Sequence, residues 1–451
     1  MLSIITVNFN GRAFLKNLFD SVQNLNYPSS KMQVIMVDNN STDGSPDYVN
    51  KQYPWVEVVP LDTNRGYAGG NNQGFKAARG QYIALINNDC IVDPDWADNM
   101  VSAFESSGDP KLGAVGSKVV FYYPYIALQL SAERIITEGK GTSPRAIGIH
   151  SAAIAGASPQ VNQSIKYLEG FYPCTGERKG KPFYWAQGKA LLALPIPEPG
   201  QDLEFEASIC SPIEPNRAKI SVAGKTIGQI VLKKEEKMIR LSIPKSFYAY
   251  SRDIINSCGV MVNRSFYARE RGYLSFDEGQ YASSQEVFGL SGTSFMVRRK
   301  MLEDVGAFDF GFFTYYEDID LFWRARLKGW KSLFVPSAVA RHYHCGTGGE
   351  WSYDFTYYVL RNRILMIFKC GWPALFLRSY AAFFVSMLRG LFQGAACLLR
   401  GRRPNRADIP IRVRLFLKFF FLLAAYFKKR INIRGSARAA DSHIKAWIKD
   451  F

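Results

Sequence analysis

Residues 2–11 read Leu-Ser-Ile-Ile-Thr-Val-Asn-Phe-Asn-Gly, an apolar run that stops at Asn8-Phe9-Asn10-Gly11. Such a run predicts a short buried strand, and clustered Asn and Gly predict the turn that ends it. Beyond the turn, Phe14, Leu15, Leu18, Phe19, Val22 and Leu25 recur at the spacing of one helix face. The same alternation repeats downstream. Val34–Val37 ends at Asp38; Val56–Leu61 leads through a Gly/Asn-rich loop into a helix near Phe75–Ala78; Tyr82–Ile86 ends at Asn87-Asn88-Asp89. Strands alternating with helices pair in parallel, and parallel sheets bind ligands beyond the carboxyl ends of their strands. Asn8, Asn10, Asp38, Asn64, Asn88 and Asp89 collect at those ends, so residues 1–126 read as an α/β ligand-binding half.

The period then changes. Leu203, Phe205, Ala207 and Ile209 alternate with Glu204, Glu206 and Ser208, and Ile239, Leu241 and Ile243 alternate with Arg240 and Ser242. Ile220 and Val222 lead to a turn at Ala223-Gly224-Lys225. Period two at this spacing predicts an antiparallel sandwich, here an inserted β-domain over 127–251. The α/β signals resume over 252–372. They include a dense block at 306–321, a helix ending at Gly329, a strand at Leu333–Val335, and His342-Tyr343-His344 after it.

The charge is +17 over 451 residues, and its location decides its meaning. Residues 361–451 hold 19 Lys and Arg against Asp408, Asp441 and Asp450, a net +16 that leaves the rest close to neutral. The tail's apolar stretches, 374–399 and 415–427, are interrupted by Arg378, Arg389 and Lys418 and flanked by Arg402, Arg403, Arg406, Arg412, Arg414 and Lys428–Arg430. That pattern over 373–451 predicts amphipathic helices lying on an anionic membrane, with an ordinary basic helical cap as the competing reading. The aromatic runs fit lipid better than nucleic acid. Seven cysteines without a CxxC pair suggest no disulfide framework and a reducing compartment. The amino terminus lacks a basic n-region, so no signal peptide is expected, and the four Asn-x-Ser/Thr triplets are read as chance.

IITVNFNG (4–11), VDNNSTDGS (37–45), NRGYAGGNNQG (64–74), LINND (85–89), GFFTYYEDIDLFWRARLKGW (311–330), PSAVARH (336–342) and YYVLRNR (357–363) resemble, in order and spacing, family 2 glycosyltransferases with the GT-A fold. The likeness is to the rhamnosyltransferase-like branch in particular. It covers about 1–125 and 252–370, not the insert. It implies a GT-A-type nucleotide-sugar-binding fold with an inserted antiparallel β-domain, and an inverting transfer of a sugar, rhamnose among the candidates. The implied donor is a dTDP- or UDP-sugar and the implied acceptor a hydroxyl of a lipid-linked or cell-surface glycan, at the cytoplasmic face of the membrane.

By the same resemblance, Asp38 meets the pyrimidine edge, while Asn8, Asn10, Asn64, Gly69, Asn71 and Asn88 lie along the donor. The glycine-rich loop suits close backbone approach, with Asn71 and Asn72 as helix caps the alternative reading. Asn88 and Asp89 stand at the family's Asp-x-Asp position, with Asn87 in place of the first acid. Asp89 and His342 (His344 as fallback) are then the contacts of a divalent metal, Mg²⁺ or Mn²⁺. Glu317, Asp318 and Asp320 crowd one helix start, where a single acid serves for capping. The resemblance makes Asp318 the base, with Glu317 second; Glu317 or Asp320 are otherwise acceptor contacts or orienters of Asp318. Gly292-Thr293-Ser294 falls in a segment the family uses near the acceptor. A processive synthase is disfavoured by the missing QxxRW motif, and a non-catalytic carbohydrate-binding protein acting through the insert is the alternative class.

Overall fold

The opening apolar run forms strand β1 (Leu2–Asn8), flanked on both sides by parallel partners, β2 (Met32–Asp38) and β4 (Tyr82–Ile86), with β3 (Val56–Pro60) beyond β2. Helix α1 (Arg12–Gln23) buries Leu15, Leu18, Phe19 and Val22 against Ile4, Val34 and Met36, the apolar stripe its spacing predicts. α2 (Ser45–Gln52) follows β2. α3 (Gly66–Ala77) lies flush on the sheet because it presents glycine to it. A Cβ on Gly70 would come within 2.6 Å of Val7 Cγ1, so this approach needs a bare backbone.

The structure, a computed structural model, describes residues 1–137, 143–173, 176–178, 180–344, 352–399 and 408–451. Arg402, Arg403 and Arg406, named above, and two of the seven cysteines, Cys174 and Cys345, lie outside the described residues. The chain divides into a unit of Met1–Val120, Asn256–Tyr273 and Tyr281–Phe451, and a second of Phe121–Ile255 with Leu274–Gln280. The second unit's edges thus fall a few residues outside the 127–251 expected.

In the first unit the sheet is mixed. Antiparallel Ser294–Arg298 lies beside β4, followed by β6 (Leu112–Phe121) and Lys331–His342; between β4 and β6 come β5 (Cys90–Val92) and α4 (Trp96–Ser106). Lys331–His342 is much longer than the strand its sequence suggested. Its far end pairs antiparallel with β5, setting His342 opposite Cys90.

The second unit holds, among the described residues, two five-stranded sheets, every pairing antiparallel. Leu203, Phe205, Ala207 and Ile209 are buried as their alternation requires, and they share a core with Leu128, Leu130, Leu192 and Ile220 of the other sheet. This is the sandwich.

The carboxyl-terminal helices belong to the first unit. Tyr353–Cys370, Pro373–Leu399 and Ile409–Gly435 bury Ile364, Leu365, Phe383, Leu415 and Phe419 in one core with Trp323 of helix Glu317–Leu327. Part of the tail's basic charge serves this packing. Lys369, only 1% exposed, bonds Asp309 and lies 2.9 Å from Asp320; Lys429 reaches Asp309 at 2.6 Å, and Arg434 reaches Asp441 at 2.7 Å. These cations act as the competing reading of a basic helical cap requires. The outer faces remain apolar, with Phe392, Leu417, Phe420 and Phe421 exposed. Pro373–Cys397 is, among the described residues, the one helix long and apolar enough to cross a membrane.

Candidate active site

Because β1 and β2 run in parallel register, Asn8 lies opposite Asp38 at the sheet's carboxyl edge. Asn8 is fully buried. Its Nδ2 donates to Asp38 Oδ1 (3.3 Å) and Ser41 Oγ (3.1 Å), and its Oδ1 accepts from Asn88 Nδ2 (2.9 Å). Asp38 Oδ2 accepts from Ser41 N–H, and Asn10 Oδ1 from Thr42 N–H at 2.7 Å. Gly11 closes over this group, since a Cβ there would fall 2.1 Å from Asn88 Nδ2. Asn8, Asn10, Asp38 and Asn88 therefore form one polar floor. Asn8, buried with fixed partners at its centre, leaves it little freedom to rearrange.

Asn64 lies in the adjoining loop and accepts from Gly66 N–H at 2.8 Å. Gly66 has φ +68°, which L side chains rarely adopt, and a Cβ would strike Phe313 O at 2.3 Å. Asn39 pins the same loop, donating to Gly66 O and accepting from Arg65 N–H, a function the sequence reading did not assign. Gly69 packs on Arg65 and Phe310. Asn71 is buried and donates back to Tyr67 O one turn earlier, so its side chain is engaged within the helix rather than on the polar floor.

Asp89 and His342 face each other at 3.1 Å, each about 8% exposed, brought together by the pairing of β5 with Lys331–His342. His342 Nδ1 meets Asn256 Oδ1 at 3.2 Å, which fixes the ring with Nε2 toward Asp89. Burial pushes the Asp89 carboxyl up, but the facing His342 outweighs it and holds the group below its usual range. With Cys90, these residues place three donor atoms within 4.8 Å of one another. Burial and the Asp89 charge push the Cys90 thiol well above its usual range, leaving it a neutral, poor ligand. The effective donor set is one carboxylate and one imidazole, which fits a divalent ion whose remaining positions are filled from outside the protein. Asn87 Oδ1, two residues away, is buried with no protein partner among the described residues.

The third group stands at the start of helix Glu317–Leu327. The approach is bent: Phe313, Tyr315 and Tyr316 have φ of 66°, 65° and 71°. Asn362, fully buried in helix Tyr353–Cys370, donates to Phe312 O, Thr314 O and Tyr315 O at 2.8–2.9 Å and so holds this costly path. That gives the YYVLRNR stretch a positioning function. Asp318 accepts from Gly292 N–H (2.9 Å) and Ile319 N–H (2.7 Å). Tyr67 donates to Gly292 O, and Asn87 N–H to Thr293 O, so the turn at 292–293 ties Asp318 to the Asp89 segment.

The three acids of this helix start now separate. Asp320 is fully buried with Arg324 and Lys369, each at 2.9 Å, and is structural; it cannot contact an acceptor. Burial, then repulsion from Asp318, push Glu317 well above the carboxylate range, and its Oε2 has no partner among the described residues. Burial also raises Asp318, but its two backbone N–H donors favour its anion. Of this coupled pair, Asp318 ionises first. Glu270 also joins the group. Ser257 Oγ donates to it at 2.5 Å, and burial, assisted by the Asp318 charge, pushes it up to about 8. No motif signals Glu270 in the sequence.

Residues 3–147 match the family model described as Glycosyl transferase family 2, and residues 248–356 that described as Glycosyltransferase like family 2. Two separate segments of the chain thus match family 2 glycosyltransferase models. The first matched segment carries Asn8, Asp38 and Asp89, and the second carries Glu317, Asp318 and His342. With its mixed sheet and strand-end floor, the first unit has the GT-A fold. The chain is 28% identical to glycosyltransferase AglE of Haloferax volcanii over 27% of this chain and 40% of that one. It is 37% identical to succinoglycan biosynthesis protein ExoO of Rhizobium meliloti over 17% and 22%. With O-antigen biosynthesis protein RfbC of Myxococcus xanthus it is 35% identical over 26% and 9%. The chain thus spans less than half the length of these relatives. Among solved structures it is similar, loosely, to mannosyltransferase PcManGT of Pyrobaculum calidifontis with GDP-Man and Mn²⁺ (TM-score 0.39, 13% identity, 96% and 86% covered). GalNAc-T7 with UDP, GalNAc and Mn²⁺ gives TM-score 0.46 at 12% identity, with 94% and 56% covered.

Proposed function

We propose that this chain is an inverting, metal-dependent hexosyltransferase of the rhamnosyltransferase-like branch. It takes a sugar from a dTDP- or UDP-sugar to a hydroxyl of a lipid-linked or cell-surface glycan, in polysaccharide biosynthesis. The observation that carries the reading is an Asp318 carboxylate favoured as anion by two N–H donors, tied through 292–293 to the Asp89–His342 pair.

Asp38, Asn8, Asn10 and Asn88 would bind the nucleoside, and the loop of Asn64 and Gly69, on a helix braced by Asn71, the diphosphate. Asp89 and His342 would hold the divalent ion, which supplies positive charge against the leaving diphosphate. Asp318 takes the acceptor hydroxyl's proton as that oxygen forms its bond to the anomeric carbon. The bond to the nucleoside diphosphate breaks on the opposite face, so configuration inverts. Glu317, protonated, is left to donate to an acceptor oxygen. The exposed apolar faces of Pro373–Leu399 and Ile409–Gly435 support peripheral attachment at the cytoplasmic membrane surface.

A panel of nucleotide-sugars with Mg²⁺ or Mn²⁺ tests this, with released nucleoside diphosphate as the readout. Metal-dependent release from a dTDP- or UDP-sugar is expected. No release from any donor, with no metal-dependent nucleotide binding by calorimetry, would overturn it in favour of a carbohydrate-binding protein.

A further inference from the structure

Away from the acids, four arginines converge on a cavity of about 380 Å³ formed by Arg264, Ser265 and Tyr267, helix Tyr353–Cys370, helix Pro373–Leu399 and the start of helix Ile409–Gly435. Arg264 pairs with Asp450 at 3.1 Å and Arg412 with Asp408 at 2.6 Å. Arg363 and Arg378 have no acid partner among the described residues. Arg363 donates to Ser265 O at 2.6 Å and stacks over Tyr267, and Arg378 donates to Arg264 O. No acid lines the cavity among the described residues.

Two buried polar atoms there are unmatched. Ser379, 4% exposed, has no partner for Oγ, and Arg363, equally buried, has none for Nε. Buried polar groups of this kind are normally satisfied, and a guanidinium without an acid calls for an anion. Guanidinium forks beside a hydroxyl are the chemistry that binds phosphate oxygens. A second hollow of about 370 Å³ adjoins it along the same helix, lined by Val385, Arg389 and Gln393. Leu377, Leu391 and Phe392 of that helix are exposed apolar side chains. A phosphate held at the arginines would therefore have apolar helix surface beside it.

We infer that this cavity binds the terminal phosphate or diphosphate of a lipid, with the lipid chain along helix Pro373–Leu399. This rests on the membrane half of the proposed function and not on its sugar chemistry. The full chain is tested by flotation on phosphatidylcholine vesicles with phosphatidylglycerol, and on the same vesicles with added polyprenyl phosphate. Inorganic pyrophosphate is titrated separately in solution. Arg378→Gln removes one cavity cation that is itself solvent-exposed, and Lys428→Gln removes an exposed cation outside the cavity.

Losing one charge-assisted contact corresponds to about tenfold in affinity. Arg378→Gln should weaken binding to polyprenyl phosphate vesicles by about that factor, and Lys428→Gln by much less. Equal effects of the two variants, with the wild type still floating, would overturn the cavity alone. No flotation of the wild type on any vesicle would overturn the membrane reading as well, leaving sugar transfer standing. If pyrophosphate binds as tightly as the lipid phosphate, and Arg378→Gln abolishes both, the ligand is a soluble phosphate and the lipid assignment fails.

Discussion

Asp318→Asn separates chemistry from binding in this site. The carboxylate accepts one N–H at each oxygen, from Gly292 and from Ile319. An amide keeps one acceptor and turns its NH₂ toward the other N–H, losing a charge-assisted hydrogen bond of about 1.5–3 kcal/mol. Against that, a neutral amide relieves repulsion with the acids beside it, so the net stability change should be small. For a unit of this size about 1 kcal/mol moves Tm by about 1.5 °C. The amide cannot take a proton, and losing a general base costs about 10²–10⁴ in rate, or about 3–5 kcal/mol of barrier. Asp318 shares no hydrogen bond with Asn8, Asp38 or Asn88, so nucleotide affinity should change by less than about threefold, a factor worth under 1 kcal/mol. Steady-state kinetics with calorimetric nucleotide titration reads all three quantities. Turnover within tenfold of wild type would refute the base assignment, and so would a loss traced to donor binding. Glu317→Gln is the contrast: its carboxyl is already held neutral, so kcat should fall less than tenfold. Because burial raises Asp318, wild-type activity should rise with pH along a limb above the ordinary carboxylate range.

Three further outcomes follow from particular contacts. Asp89→Asn should weaken nucleotide binding about tenfold or more with Mg²⁺ or Mn²⁺, the size expected for losing a first metal contact, and not at all in EDTA; equal affinity in both conditions would remove Asp89 from metal binding. Glu270, pushed from 4.5 up to about 8, keeps its proton when folded after the unfolded chain has shed it, so its contribution to stability falls as pH rises through that window. Glu270→Gln lacks this loss, and its Tm advantage over wild type should widen between pH 5 and 8; a constant gap would contradict the raised value. Lys369→Met strands Asp309 and Asp320 beside fewer cations and should cost about 3–5 kcal/mol in urea unfolding, whereas a cost below about 1 kcal/mol would show that Lys429 and Arg324 suffice.

Much of the first unit was legible because its signals are local. An apolar run that ends in Asn or Asp marks both a strand and its exposed end, and parallel pairing collects such ends on one edge. Asn8, Asp38 and Asn88 could thus be grouped before any contact was known. The insert was legible for a related reason, since alternation at Leu203–Ile209 can be satisfied only by a half-buried strand. Motif resemblance, not periodicity, singled out Asp318 and His342.

What the sequence by itself determined was the class of elements and the polar residues at their ends, because side-chain period and turn chemistry act over a few neighbours. The tertiary structure alone decided which of those residues meet. His342 reaches Asp89 only through its register with Cys90, 252 positions earlier, and Asn362 holds the bend before Asp318 from a different helix. The fates of three adjacent acids were equally hidden. Glu317, Asp318 and Asp320 share one composition, and they differ only in what long-range packing brings beside each. Asp320 meets two cations, Asp318 two N–H groups, and Glu317 Oε2 no partner among the described residues. Protonation follows from those partners, and partners at such separation are set by the fold.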